Sequence, residues 1–244
     1  MLRIIKSRSD PDSYYIADSI GSEVIGLSTT SNGEPVKEQI PTGSVNQQWL
    51  FEKADLACLI GSEATDEDMS SWVKECEPYA RQASIDMWST TTITAANALN
   101  WLKQSTLFIT GTHATSSGIK LTPDKNQPNT VSNLYASTIS SLSGNPLYRV
   151  KVVVYMGCET AKGSSNICTA TRDKGAKAVI GFKKIIDDPQ CTDWTREFLK
   201  KMAAGSTVQD AKNAADIFVE NNYPNNTKNV PDNEIYGNKS QTLK

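Results

Sequence analysis

A run of apolar residues without polar alternation, Val152 to Tyr155 within a predicted strand from Val150 to Met156, most constrains how this chain can fold. Strands of that kind are buried on both faces, which happens in parallel sheets that helices cover on each side. Similar short runs stand at Leu56 to Ile60, Thr106 to Thr110 and Ala178 to Phe182. Together they predict several central strands of one sheet.

Segments in which apolar residues have helical spacing alternate with these runs. Alternation of strands and helices at this length predicts an α/β fold, with a mostly parallel sheet and helices on both faces. The segment from Glu234 to Leu243 predicts a last edge strand. The predicted helices are Asp66 to Gln82, Thr94 to Lys103, Val131 to Leu142, Asn166 to Lys174, Thr192 to Ala204 and Thr207 to Glu220.

The first 53 residues follow a different pattern. Short apolar pieces such as Tyr14 to Ile16 and Val24 to Leu27 are separated by turn residues, which is typical of short strands. The pattern changes at Lys53 and Ala54, and the remaining length suits one sizeable core. We therefore predict a small β segment over residues 1–53 and a larger α/β domain over residues 54–244.

Charge and hydropathy exclude several classes of partner. Lys and Arg number 25 against 27 Asp and Glu, a net charge of -2, so the chain lacks the basic footprint of a nucleic-acid-binding domain. No apolar run reaches the roughly 20 residues that a membrane helix needs, and the first residues hold no apolar signal-peptide core. We expect no nucleic-acid or membrane partner and a cytoplasmic location.

The five cysteines have neither the even count of a disulfide framework nor the spacing of a metal site. An odd count suits reduced thiols in a cytosol. The chain has one histidine and no CxxC pair, so a zinc site of the usual kinds is not expected. We expect no metal and no cofactor.

Two predicted strands end on residues that can carry out chemistry. His113 follows the run ending at Thr110, and Cys158 follows the run that ends at Met156. A thiolate is a nucleophile and an imidazole can protonate a leaving amine, so the two supply both halves of cysteine-peptidase catalysis. Gly157 leaves room for a substrate backbone, and the backbone N–H groups of Cys158 and Ala114 are candidate oxyanion donors. The other four cysteines are expected to pack in the core, as free cysteines usually do.

The segment from Val152 to Asp188 resembles the CHAT family of caspase-like cysteine peptidases. It contains VVVYMGCETAKG, followed by KGAKAVIGF and two aspartates, and FITGTH upstream is similar to the strand that carries the family's histidine. The segments FLKKMAAGSTVQDA and EIYGNKSQTL are similar to its later helices and its last strand. The resemblance implies a caspase-like sheet, Cys158 as the nucleophile and His113 as general acid and base.

One residue departs from that family's pattern. Ala114 stands where the family usually has glycine, and alanine resists the positive φ that glycine accepts. If this position needs such a conformation, the oxyanion hole is weakened. A catalytically inactive binding or scaffold protein of the same fold is therefore the alternative function. An acyltransferase or thioester hydrolase with the same Cys/His chemistry is a third.

The N-terminal segment resembles one repeat of the ricin-type β-trefoil lectins. The resemblance lies in DSYYI, NGEPV and the Gln-x-Trp signature at Gln47 to Trp49. Only one repeat is present, and Gly26 replaces the sugar-binding aspartate. A short β appendage, or the remnant of a longer chain, is favoured over an independent glycan-binding lectin.

The sequence thus predicts a thiol protease, a hydrolase that cleaves peptide or protein substrates. Caspase-like peptidases choose substrates by the residue before the cut, so we expect a pocket formed by Gly157, Glu159, Phe182 and Asp187. The carboxylates would favour a basic side chain at that position. Asp188, beside them in the sequence, is interpreted as a solvated surface acid.

Overall fold

The computed structural model describes residues 3–6, 14–17, 24–27, 36–39, 56–62, 70–83, 86–124 and 130–243. The chain divides into two compact units, Met1–Lys53 and Ala54–Lys244. In the first unit four antiparallel strands pair in chain order. They are β1 (Arg3–Lys6), β2 (Tyr14–Ala17), β3 (Val24–Leu27) and β4 (Val36–Gln39). The ricin-like signature at 47–49 lies outside the described residues.

The second unit is built on a six-stranded sheet. Its strands are β5 (Leu56–Gly61), β6 (Asp86–Thr90), β7 (Leu107–Gly111), β11 (Val152–Met156), β12 (Ala178–Phe182) and β13 (Asn233–Gly237). Their order is β13-β12-β11-β7-β5-β6. All neighbours are parallel except β13, which runs antiparallel to β12. The predicted α/β fold with a mostly parallel sheet is confirmed.

Six helices cover the sheet in the described part of this unit. They are α1 (Ser70–Gln82), α2 (Ala95–Gln104), α3 (Ala136–Ser140), α4 (Ile167–Asp173), α5 (Gln190–Ala203) and α6 (Val208–Asn222). Val152 and Val154 face the apolar residues of α1, α5 and α6, whereas Val153 and Tyr155 face those of α2, α3 and α4. Both faces of β11 are buried, which is the physical reason for its unbroken apolar run.

A second, antiparallel sheet of three short strands follows β7. Its strands are β8 (Ala114–Thr115), β9 (Gly118–Leu121) and β10 (Ser132–Tyr135), in the order β10-β9-β8. The helix predicted over Val131 to Leu142 is wrong in its first half, because residues 132–135 pair with β9. Only α3 is helical there. Strand pairing with a distant partner overrides the local helical spacing.

None of the helices in the described part of the chain is both long enough and apolar enough to cross a membrane.

Candidate active site

Strands β7 and β11 carry His113 and Cys158 to the same edge of the sheet. The two strands are parallel neighbours, and their register pairs Gly111 with Met156. Beyond that pair, the N–H of Thr112 donates to the Met156 carbonyl at 3.1 Å. His113 and Cys158 each stand two residues past the last pair, so the register brings them to the same level.

Gly157 permits the close approach of these two strand ends. A Cβ placed on Gly157 would lie 2.6 Å from the Ala114 Cβ and 2.6 Å from the Thr112 carbonyl oxygen. Non-bonded carbon atoms cannot approach that closely. The glycine before Cys158 is therefore required by the neighbouring strand end, in addition to any space it leaves for a substrate.

A small cleft opens at this point. The structure brings His113, Gly157 and Cys158 together in its wall. The residues that line it are Thr112, His113, Met156, Gly157, Cys158, Ile186, Asp188 and Cys191. The cleft thus joins a thiol, an imidazole and a carboxylate at the carboxyl ends of parallel strands, where α/β folds usually bind ligands.

Cys158 differs from the other cysteines in its exposure. All five cysteines lie in the described part of the chain, and Cys158 alone is partly exposed. Its thiol donates to the Ile186 carbonyl at 3.6 Å. Burial raises the pKa of the thiols of Cys58, Cys76 and Cys168 well above the ordinary value, so these stay protonated. Exposure therefore singles out Cys158 as the thiol that a substrate could reach.

The backbone around Ala114 has ordinary extended geometry. The Lys120 N–H donates to the His113 carbonyl at 2.9 Å, so Lys120 of β9 and His113, the residue before β8, form a hydrogen-bonded pair. Ala114 and Ile119 therefore form the next, non-hydrogen-bonded pair, in which the Ala114 N–H points away from β9. Positive φ occurs in the described non-glycine residues at Glu159, Lys228 and Asn229, so Ala114 has a negative φ. An alanine at this position therefore causes no backbone strain.

The two adjacent aspartates have different surroundings. Asp188 lines the cleft, and its Oδ1 accepts hydrogen bonds from the Cys191 thiol, at 3.3 Å, and from the Thr192 hydroxyl. The Asp187 carboxylate pairs with Lys228, with 3.0 Å between Nζ and Oδ2. The structure thus brings Asp188 to the cleft. Asp188 is exposed, as the sequence predicts for a surface acid, but its place in the cleft is not predicted, because nothing in the sequence separates the two neighbours.

The remaining pocket candidates lie elsewhere. The Phe182 side chain is fully buried in the core, with its ring centroid 5.4 Å from that of Trp194. Glu159 forms an ion pair with Lys162, with 2.5 Å between Oε1 and Nζ. Among the described residues, neither of them nor Asp187 lines the cleft. Ile186 and Cys191 do, although sequence reasoning singled out neither for the site.

Within the described residues, no group of three or more His, Cys, Asp and Glu side chains is arranged to hold a metal ion.

Comparisons with known proteins find similar structures but no similar sequences. No family model matches the chain, and no curated protein matches it. The Arg-specific cysteine proteinase gingipain R has a TM-score of 0.62 at 12% identity over 78% of this chain and 47% of its own. A complex of Porphyromonas gingivalis RgpB pro- and mature domains has a TM-score of 0.58 at 11% identity, covering 78% of this chain and 48% of that one. The chain thus spans about half the length of these proteins.

Separase is a third structural neighbour. The Saccharomyces cerevisiae separase–securin complex has a TM-score of 0.51 at 14% identity, covering 76% of this chain and 12% of that one. The likeness to each of the three extends over at least 76% of this chain. The fold is that of the caspase-like cysteine peptidases, as the sequence predicted. The CHAT and ricin-type resemblances stay predictions.

Proposed function

We propose that this chain is a cysteine endopeptidase in which Cys158 is the nucleophile and His113 the general acid and base. The observation that carries the proposal is the shared cleft. Two in-register strands bring the chain's single histidine and its one partly exposed cysteine into that cleft. The fold is one that cysteine peptidases use, which supports the same chemistry here.

The reaction follows from the groups in the cleft. The Cys158 thiolate attacks the carbonyl carbon of a peptide bond, and the N–H groups of Cys158 and Ala114 donate to the resulting oxyanion. When the C–N bond breaks, His113 protonates the departing amine, and a thioester remains on Cys158. Water, deprotonated by His113, then hydrolyses the thioester and restores the thiol. The extended backbone at Ala114 supports the assignment of its N–H to this hole.

Asp188 is the residue that we assign to substrate choice. It places a carboxylate in the same cleft as Cys158, held by the Cys191 and Thr192 donors. A lysine or arginine before the cut would pair with that carboxylate, whereas an acidic residue would be repelled. Gingipain R, which has a similar fold, is described as Arg specific. Asp187 is excluded from this role because Lys228 already neutralises it outside the cleft.

Mass-spectrometric mapping of cuts in a mixed peptide library, at neutral pH under reducing conditions, tests both assignments. We expect wild type to cut after Lys and Arg, and Cys158→Ala and His113→Ala to lose these cuts. Asp188→Asn should reduce kcat/KM for a lysyl or arginyl substrate about 10-fold or more, because a close charge pair is lost. Asp187→Asn is the matched control and should keep the wild-type preference.

The outcomes separate the alternatives. Cuts that persist in Cys158→Ala would show that another group is the nucleophile. A folded wild type that cuts nothing in the library would favour the binding or scaffold alternative. Equal losses in the two aspartate variants would remove the special role of Asp188.

A further inference from the structure

Strands β11 and β12 separate just before Cys158. Their paired register ends with Tyr155 opposite Gly181, although β11 continues to Met156 and β12 to Phe182. The N–H of Phe182 donates instead to the side-chain hydroxyl of Thr160, at 3.0 Å. A side chain from the loop after the nucleophile has therefore entered the gap between the two strands.

The same hydroxyl reaches the other strand. Thr160 Oγ1 lies 3.0 Å from the Tyr155 carbonyl and 3.2 Å from the Gly157 carbonyl, and it donates its proton toward these acceptors. One hydroxyl thus links a donor of β12 to acceptors of β11 and of the residue before Cys158. The Thr160 side chain is fully buried, so water does not compete for these bonds.

The space around Thr160 is shaped for this bridge. A Cβ on Gly181 would lie 2.9 Å from Thr160 Oγ1 and 2.4 Å from the Cys168 sulfur, so glycine is needed there. The Cys168 thiol donates to the Thr160 carbonyl at 3.4 Å. Helix α4 and strand β12 therefore hold this threonine from two sides.

Two backbone bonds fasten the chain on either side of Thr160. The Glu159 N–H donates to the Lys184 carbonyl at 3.1 Å, and the Ala161 N–H donates to the Phe182 carbonyl at 2.9 Å. Glu159 itself has a φ of 58°, a conformation that costs energy for any residue but glycine. The turn after Cys158 is thus held in a strained shape by contacts with the end of β12 and with Lys184 after it.

We propose that Thr160 is a positioning residue for Cys158, an inference that rests on the peptidase function proposed above. Its hydroxyl fixes the turn of residues 157–161 between β11 and β12, and so fixes the direction of the Cys158 sulfur and N–H. Thr160 does not touch the substrate. It acts through Cys158, and for that reason its loss should change turnover more than substrate binding.

Three variants test this role. Thr160→Val keeps the shape and removes the hydroxyl; Thr160→Ser keeps the hydroxyl. Thr171→Val is the matched control: Thr171 is a fully buried threonine of α4 whose hydroxyl bonds to the Ile167 carbonyl and to the Tyr155 phenol, each at 2.8 Å, and it does not line the cleft. Thr160→Val should lower kcat about 10- to 100-fold with KM changed by about 2-fold or less, because small misplacements of reacting groups have effects of that size.

The second measurement does not depend on peptidase activity. The rate of Cys158 alkylation by iodoacetamide, followed by peptide mapping, should fall several-fold in Thr160→Val. Thr160→Ser should recover most of the wild-type rate, and Thr171→Val should keep it. If Thr160→Val does not fold, Thr160→Ala removes the same hydroxyl from a smaller side chain and is measured in its place.

The outcomes are distinct for the two proposals. A folded Thr160→Val with wild-type kcat and wild-type alkylation would overturn the positioning role. If alkylation depends on the hydroxyl while wild type cuts no peptide, the positioning role of Thr160 stands and the peptidase proposal fails. An equal loss in Thr171→Val would show a general effect of buried threonines and would also overturn the role.

Discussion

At the scale of single residues, Gly157 is a position where added atoms have very little room. Its missing side chain is what lets Ala114 and Thr112 of the neighbouring strand end come close. A methyl group here would clash with the Thr112 carbonyl oxygen, a backbone atom that cannot move unless the neighbouring strand end moves with it. Gly157 therefore couples the spacing of β7 and β11 to the geometry of the cleft.

We expect Gly157→Ala to reduce the free energy of unfolding by about 1–3 kcal/mol, the usual cost of overpacking, and to slow alkylation of Cys158. The free energy is measured by urea denaturation and the alkylation by peptide mapping. Gly144→Ala is the control. No atom lies within 4 Å of a Cβ added to Gly144, but the φ of this residue is +63°, so the alanine lowers the free energy of unfolding only through an unfavourable backbone conformation. Alkylation of Cys158 that is equally slow in both variants would contradict the steric argument.

The sequence predicted part of the site at this scale. His113 and Cys158 were predicted because both follow apolar runs, and the ends of parallel strands meet at one edge of a sheet. The distinction between Asp187 and Asp188 was not predictable. It depends on Lys228, which is 41 residues away in the chain, and on the start of α5, which supplies Cys191 and Thr192.

At the scale of elements, Asp216 joins α5, α6 and β13. Its Oδ1 accepts from the indole N–H of Trp194 at 2.7 Å and from the Asn233 amide at 2.8 Å. Its Oδ2 pairs with Lys212 one turn earlier on the same helix, and both side chains are largely buried. One carboxylate therefore accepts from donors of three elements, and its removal would take one acceptor away from each of them.

Asp216→Ala should reduce the free energy of unfolding by about 2–3 kcal/mol, because buried donors and a cation lose their acceptor. Urea denaturation at pH 7 measures the change. Glu220→Ala, at an exposed position on the same helix, should stay within about 0.5 kcal/mol of wild type. The bridging role would be wrong if both variants had wild-type stability.

Elements differ in how well the sequence predicts them. The strand Ala178–Phe182 was predicted at its observed bounds, since its apolar run is buried on both faces. Strand β6 (Asp86–Thr90) was not predicted: it lies at the edge of the sheet, and its sequence DMWST has no apolar run. The residues of β10 were predicted as helix, because their apolar spacing is helical and does not reveal that they pair with β9 (Gly118–Leu121).

At the scale of the whole molecule, several buried acids remain protonated in the folded state. Burial raises the pKa of Cys58, Cys76 and Cys168, and it raises that of the Tyr155 phenol, which bonds to Thr171. In the unfolded chain these groups release protons near their ordinary values, about 8.5 for a thiol and 10 for a phenol. The native core therefore holds these four groups in their protonated form.

Stability should therefore fall as the pH rises above about 8.5. Below that pH the thiols are protonated in both states and contribute fully; above it the unfolded state binds fewer protons than the folded state. Above its unfolded pKa, each group should lower the free energy of unfolding by up to about 1.4 kcal/mol per pH unit. Urea midpoints at pH 7, 9 and 10 under reducing conditions measure the slope.

A variant separates the thiols from other groups that titrate in this range. Cys76→Ala removes one buried thiol of α1 and should flatten the loss of stability between pH 8.5 and 10. The thiol assignment would fail if wild type and Cys76→Ala lost stability in parallel. A wild-type midpoint that does not change up to pH 10 would count against the three thiols, whose unfolded pKa values lie near 8.5.

The sequence by itself determined the α/β class and the central strands, and it pointed to the two candidate site residues that follow two of these strands, because apolar periodicity and strand ends are local features. Tertiary structure alone decided which aspartate enters the cleft, where β10 pairs and how Thr160 bridges β11 and β12. Each of these depends on a hydrogen bond, ion pair or contact between residues that are distant in the chain. Such contacts form only when the sheet brings its strands together, and no local pattern records them.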